Sequence, residues 1–414
     1  MLLYIDPGTG SMLFTILIGI LGVARYLMKI WWVKLRFLLS GGGKRDVSEN
    51  KIPLAVFSDD KRYWSIFEPI IRLLDEAGFP VVYYTASEDD AAFRAPFQNF
   101  HAEFIGHGNR GFAKLNFMKA YIVLSTTPGL DVLQWKRSPE VDWYVHIPHM
   151  PTDLTIYRMF ALDHYDAVMG GGEFQKIQLR ELETLRALPE KEFIKVGIPY
   201  MDEMKKRLDA APALLAHPRT VLLAPSWGPS SILNKYGERF IDTLLETGYH
   251  IIIRPHPQSF TSEIPLMEKL MAKYPESEQL EWNRDTDNFD VLRKSDIMIS
   301  DFSGVMFEFA LIYDKPIIYT DTHFDPAPYD AWWLDSEIWT FRVLPWLGRK
   351  LAEEDLPHIG ELVEDCVSSD EFAEGRRKAR EECWANQGRS ARLAAEYLMQ
   401  KYETLKEKES GEGR

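Results

Sequence analysis

Cysteine is scarce: the 414 residues hold only Cys366 and Cys383. Both lie toward the C-terminal end, with no CxxC pair and no His/Cys spacing suited to zinc. The chain therefore offers neither a disulfide framework nor a zinc site, and it fits a reducing compartment. Positive charge is also short, with 48 Lys and Arg against 62 Asp and Glu and a net charge of −14. That balance argues against nucleic acid as a partner, because a face that binds a polyanion needs a basic surplus. Internal repeats are lacking, and the one biased stretch is the polar end at residues 407–414, expected to be disordered. Nor does the uncharged apolar run SMLFTILIGILGVA at 11–24 reach bilayer-spanning length unaided, since it falls short of about 20 residues.

What is present begins with 46% hydrophobic and 13% aromatic residues, ample for two cores. Residues 25–33, RYLMKIWWV, extend the apolar run to spanning length, with Arg25 and Lys29 one helical turn apart and able to snorkel, and Trp31 and Trp32 at the interface. Arg25, Lys29, Lys34, Arg36, Lys44 and Arg45 all follow the apolar stretch without an intervening acid. The positive-inside rule then places the bulk of the chain in the cytoplasm, tethered to the cell membrane by a single N-terminal pass. A helix lying in the membrane plane with its basic side on anionic lipid and a buried helix of a soluble body are the alternatives.

After the glycines at 41–43, short apolar runs alternate with amphipathic stretches. Strands are expected at 52–57, 81–85, 121–125, 143–147, 167–170 and 193–196, with a helix at 63–77. Residues 210–218, AAPALLAHP, read as a linker. The alternation restarts with strands at 221–224, 250–253, 297–300 and 316–319 and a helix at 236–246, before a charged helical tail from about residue 361. The predicted organisation is a membrane anchor and basic arm at 1–45, an N-terminal acceptor lobe at 46–210, a nucleotide-donor lobe at 211–350 and a helical brace with a polar tail at 351–414. Two doubly wound, Rossmann-like α/β lobes with such a brace resemble the GT-B architecture.

Three strand ends in the second lobe carry chemistry. Residues 300–310, SDFSGVMFEFA, run from an apolar strand through small polar residues directly into a helix, which makes an anion cradle of backbone N–H groups. Ser300, Asp301, Ser303 and Gly304 lie at its mouth, and Glu308, one turn on, suits a ribose or glycerol hydroxyl. Ser303 as a helix cap and Asp301 as a turn residue is the plain structural alternative. At 251–257, IIIRPHP, prolines stiffen a loop from which Arg254 and His256 project, a pair suited to a diphosphate, with His256 also a catalytic candidate able to protonate a leaving oxygen; a loop histidine satisfied by backbone is the structural alternative. At 223–228, LAPSWG, Ser226 and Trp227 stand at a third strand end, the indole fit either to stack on a base or to pack. Ligands of open parallel sheets bind beyond the carboxyl ends of the strands, so three polar strand ends in one lobe describe one donor pocket.

In this order and spacing PSW, RPHP and SDFSGVMFE resemble the CDP-glycerol glycerophosphotransferases, which build teichoic-acid-type polymers and carry P-[TS]-W, R-x-H-P and S-D-x-S-S-x-x-F-D. GIPYMD at 197–202 is similar to their G-x-P-R-x-D, so the likeness covers roughly residues 140–320. Three positions depart: Gly304 stands for the second Ser of the cradle, Glu308 for Asp, and Tyr200 for Arg. In that family a catalytic His sits in a W-H-G-T motif, whose place here is taken by YVHIPHMPT at 144–152, without the motif itself. Of His146 and His149, which face opposite ways on an extended chain, His149 at the loop is the candidate base, with a pKa near physiological pH.

The resemblance implies transfer of glycerol phosphate, or a related polyol phosphate, from CDP-glycerol or a similar nucleotide-activated donor to a lipid-linked or membrane-surface hydroxyl acceptor. No cofactor and no metal site are implied. A nucleotide-sugar glycosyltransferase on the same architecture and a catalytically inactive membrane scaffold are the alternatives.

Overall fold

The computed structural model describes Met28 and residues 51–285, 287–301, 303–320 and 324–412. The expected membrane segment and basic arm lie outside the described residues, among which no helix is long and apolar enough to cross a membrane. The compact body begins at Ile52.

Its first sheet has seven strands: β1 (Ile52–Ser58), β2 (Val81–Thr85), β3 (Phe100–Phe104), β4 (Ala120–Ser125), β5 (Val141–His146), β6 (Ala167–Gly170) and β7 (Glu192–Lys195), in the order β3-β2-β1-β4-β5-β6-β7. The second has six: β8 (Thr220–Leu223), β9 (His250–Ile253), β10 (Leu280–Trp282), β11 (Ile297–Ser300), β12 (Ile317–Thr320) and β13 (Gly348–Leu351), in the order β10-β9-β8-β11-β12-β13. Every pairing in both sheets is parallel. Central strands such as Leu54–Phe57 and Ile251–Ile253 are buried on both faces, which is why they read as unbroken apolar runs. The chain order reverses between β1 and β4 and again between β8 and β11, so each lobe has its switch point at the middle of its sheet.

The ten expected strands are present within two residues of their expected bounds. β3, β10 and β13 are additions, and all three are edge strands. Phe100–Phe104 reads FHAEF and is half-buried at most, so it carries no core pattern, and its strand state comes from pairing with β2.

The two lobes are tied together by polar clamps. Asp153, 2% exposed in a first-lobe loop, accepts N–H groups of Trp339 (2.8 Å) and Thr340 (2.7 Å) at the start of the helix Trp339–Arg342. Asp202, on the helix Pro199–Ala210, accepts the Trp384 indole N–H at 2.8 Å and the Ser390 amide at 2.9 Å. That second clamp turns the chain into the helix Ser390–Glu412, whose Ala394, Ala395 and Leu398 pack on the first-lobe core. A side chain at Gly197 would put its Cβ 2.1 Å from the Ala385 carbonyl oxygen, and its φ of +100° favours glycine, so the first residue of GIPYMD is set by this crossing. Two doubly wound lobes with the C-terminal helix returned to the first is a GT-B-like architecture.

Candidate active site

The loops after β9, β8 and β11 leave adjacent strand ends and are knit to one another. Asp301, 1% exposed, accepts the Ser226 amide at 2.8 Å and the Ile232 amide at 3.0 Å, tying the loop after β8 to the end of β11. The Ser300 hydroxyl donates to the Ala224 carbonyl in the same seam. These two side chains serve the loops themselves. The Ser226 hydroxyl, by contrast, is buried with no hydrogen-bond partner, which leaves a donor and an acceptor at the strand end for a ligand. Trp227 is 47% exposed, its ring 6.5 Å from that of His256.

Arg254 is braced by the Asn283 side-chain oxygen and by the Asp285 carbonyl at 2.8 Å, so its guanidinium is positioned before any ligand arrives. His256 Nδ1 accepts the Gln258 amide at 3.1 Å, which leaves the proton of the neutral ring on Nε2, free to be donated. Burial, aided by the charge of Arg62, lowers the His256 pKa. A neutral imidazole with one N–H to give is suited to a phosphate oxygen.

Ser303 and Gly304 form the turn before the helix Val305–Ile312. A Cβ at Gly304 would lie 2.1 Å from the Met150 sulfur, so the first lobe covers the cradle at the position where the resembled family has serine. Glu308 accepts from the Asn288 amide group at 2.6 Å and is hydrogen-bonded by the Tyr200 hydroxyl; burial raises its pKa. Tyr200 and Glu308, two departures from the family pattern, therefore touch each other. A carboxylate has about four lone-pair positions, so Glu308 retains room for a ligand hydroxyl.

Across the cleft, His146 and His149 differ sharply. His146, at the end of β5, is fully buried against Tyr157 and Tyr165, with both ring nitrogens unpartnered. His149 is half-buried, 3.3 Å through Nδ1 from the Thr126 hydroxyl and with its ring 4.9 Å from that of Tyr63. Its pKa is not near the physiological value expected from its residue type: burial first, then the Arg62 charge, pushes it down to about 4.

Sequence reasoning passed over Asp59, Arg62, Tyr63 and Tyr157. Arg62 is a charge felt by both His149 and His256, so it belongs to both halves of the cleft. Asp59 accepts from the Thr127 hydroxyl at 2.8 Å, joining the ends of β1 and β4 at the first lobe's switch point. The signal was available, since DDKRY at 59–63 is a polar strand end of the same kind as those read in the second lobe. Among the described residues no group of three or more His, Cys, Asp and Glu is arranged to hold a metal.

Comparison with known proteins separates fold from sequence likeness. The UDP-GlcNAc 2-epimerase from Neisseria meningitidis, solved with UDP-GlcNAc bound, superposes with a TM-score of 0.52 at 14% identity, covering 84% of this chain and 99% of that one. The Methanocaldococcus jannaschii UDP-GlcNAc 2-epimerase gives 0.51 at 14% identity, over 79% of this chain and 98% of that one. At such identity these matches establish the two-lobed fold alone. In sequence, the teichoic acid glycerol-phosphate primase of Bacillus spizizenii strain W23 is 27% identical over 167 residues, 37% of this chain. The match spans 40% of that protein's length. Residues 164–331 fit the family model described as CDP-Glycerol:Poly(glycerophosphate) glycerophosphotransferase, a stretch that includes all three strand-end loops of the second lobe. The family whose sequence pattern residues 164–331 carry is that of the CDP-glycerol:poly(glycerophosphate) glycerophosphotransferases.

Proposed function

We propose that this protein transfers glycerol phosphate, or a closely related polyol phosphate, from a CDP-activated donor to a hydroxyl acceptor at the membrane surface, in cell-surface polymer synthesis. The observation that carries the reading is the convergence of Arg254, the His256 Nε2–H and the unpartnered Ser226 hydroxyl on two adjacent strand ends, those of β9 and β8, within the family-matched segment. In this reading Arg254 and His256 hold the diphosphate, Trp227 offers its exposed face to the base, and Ser303 with the backbone at Gly304 receives a phosphate oxygen. Ser300 and Asp301 contribute by holding the loops in place, and Glu308 accepts from a donor hydroxyl.

The acceptor oxygen bonds to the donor's β-phosphorus, the bond from that phosphorus to the bridging oxygen breaks, and CMP leaves with the electron pair. His149, unprotonated at neutral pH because of its lowered pKa, takes the hydroxyl proton. Arg62, felt by both histidines, can offer its positive charge to the phosphoryl group in flight. A tether at residues 11–33 would hold the site beside lipid-linked acceptors, replacing a search in solution by a high effective concentration.

The test is incubation of the purified chain with a membrane-embedded lipid bearing a free hydroxyl as acceptor and, in turn, CDP-glycerol, CDP-ribitol, UDP-sugars and CMP-sugars as donors, measuring released nucleotide. CMP release from a CDP-polyol alone is expected. Turnover of a nucleotide sugar in its place assigns the chain to the glycosyltransferases, and no turnover of any donor leaves a binding scaffold.

A further inference from the structure

The ends of β4 and β5 lie side by side, with Ser125 opposite His146, and the loops that leave them bring two hydroxyls to one nitrogen of His149. The Thr126 hydroxyl is 3.3 Å from His149 Nδ1, and the Tyr157 hydroxyl is 3.5 Å from the same atom. Both distances are long, as catalytic hydrogen bonds often are before substrate closes a site. Nε2 of His149 makes no hydrogen bond among the described residues, so it is the nitrogen left for a reacting hydroxyl.

Both hydroxyls are held in place by groups other than the histidine. On either side of Thr126, which is 1% exposed, the Ser125 hydroxyl donates to the Phe57 carbonyl and the Thr127 hydroxyl to Asp59, each at 2.8 Å. Tyr157 is fixed from the other lobe: its carbonyl accepts the Asp330 amide at 3.0 Å, and Arg158 beside it bridges Tyr329. The Tyr157 ring packs against both histidines, its centroid 5.6 Å from that of His146 and 6.1 Å from that of His149. Among the described residues neither the Thr126 nor the Tyr157 hydroxyl meets another hydrogen-bonding group, so their lone pairs are available to Nδ1.

A neutral imidazole carries one N–H, and the nitrogen that holds it is set by the partner of the other. Only the Nδ1–H form has a lone pair on Nε2 with which to take a proton. A carboxylate at Nδ1 would enforce that form but would also favour the charged ring. A hydroxyl oxygen receives the Nδ1 hydrogen without adding charge, which agrees with the lowered pKa of His149.

We infer that Thr126 and Tyr157 are positioning residues for His149, their hydroxyl oxygens receiving the Nδ1 hydrogen and so keeping the Nε2 lone pair free for the acceptor's proton. When Nε2 takes that proton, the acceptor oxygen keeps the electron pair that attacks phosphorus, and the Nδ1 hydrogen stays in place. The inference rests on the transfer reading above, with His149 as base, and adds the groups that select its tautomer.

Two measurements on the full chain test it. Nitrogen-15 NMR of labelled histidine reads the tautomer without substrate, the His149 signal being identified by its loss in His149→Ala. Kinetics with CDP-glycerol and a membrane-embedded lipid bearing a free hydroxyl read the consequence. Wild-type His149 should be in the Nδ1–H form. Thr126→Val combined with Tyr157→Phe should move it to the Nε2–H form and lower kcat by roughly 10–100-fold, with KM and CDP affinity nearly unchanged. Thr126→Ser in place of Thr126→Val should recover most of that loss, and the pair of substitutions should cost little more in a His149→Ala background. An Nε2–H ring in the wild type overturns the inference even if the double variant fails to fold, and so does an equal loss of kcat in the His149→Ala background. If CDP-glycerol is not turned over while the double variant still shifts the tautomer, the transfer reading falls and the positioning of the ring stands.

Discussion

Replacing Asp301 by Asn separates two roles for a residue that the sequence pattern alone assigns to the donor. In the structure both carboxylate oxygens are engaged, by the Ser226 amide at 2.8 Å and the Ile232 amide at 3.0 Å, in a site that is 1% exposed. Asparagine keeps one oxygen to accept one of those N–H groups and turns an NH2 toward the other. A donor then faces a donor, and a buried amide is left unsatisfied at a cost of about 1–3 kcal/mol, with loss of charge assistance at the remaining bond adding about 1 kcal/mol more. For a body of this size each kcal/mol lowers the melting temperature by roughly 2–4 °C, so a fall of about 5–15 °C is expected. CDP affinity should drop with it, because the loop bearing Ser226 and Trp227 loses its anchor. The assay is thermal unfolding alongside CDP titration at a temperature where the variant stays folded. An unchanged melting temperature combined with lost CDP affinity would falsify the loop-tie role and return Asp301 to direct contact with the donor.

Three further outcomes follow from the cleft. His149→Ala should leave CDP binding nearly intact while lowering kcat by roughly 10²–10⁴; because burial and Arg62 hold the ring near pKa 4, the acid limb of kcat/KM should sit near 4, and a limb near 6.5 contradicts the buried site. His146, pushed down to about 3 by burial, is neutral when folded and charged below about 6.5 when unfolded, so the unfolded state binds the extra proton and stability falls as pH drops from 6.5 toward 3. His146→Phe should remove up to about 1.4 kcal/mol per pH unit from that slope in denaturant titrations between pH 4.5 and 6.5, and an unaltered slope sinks the assignment. Gly304→Ser restores the family residue but places a Cβ against the Met150 sulfur, the far end of a flexible side chain that can swing aside, so it should cost no more than about 1 kcal/mol of stability or donor binding, recovered in the double variant with Met150→Ala. Additive losses in that cycle would show that the two residues do not meet.

What the sequence by itself determined is the part that local pattern can hold. Strands buried on both faces, such as 52–57 and 251–253, must be continuous apolar runs, and the polar residues that stop them mark the carboxyl ends where ligands of parallel sheets bind. Ser226, Arg254, His256 and Gly304 were legible for that reason. The edge strands at 100–104, 280–282 and 348–351 were not, because an edge buries too little for a pattern and takes its conformation from a neighbour. Only the tertiary structure decided the rest. Whether Asp301 faces a ligand or two amides depends on where the loop after β8 lies, 75 residues earlier in the chain. The ionisation of His149 depends on burial beside Tyr63 and on the charge of Arg62, and the cover over Gly304 depends on Met150 from the other lobe. Such relations are distances between segments remote in sequence. They are set by how two lobes pack and are clamped through Asp153 and Asp202, and no periodicity within either segment records them.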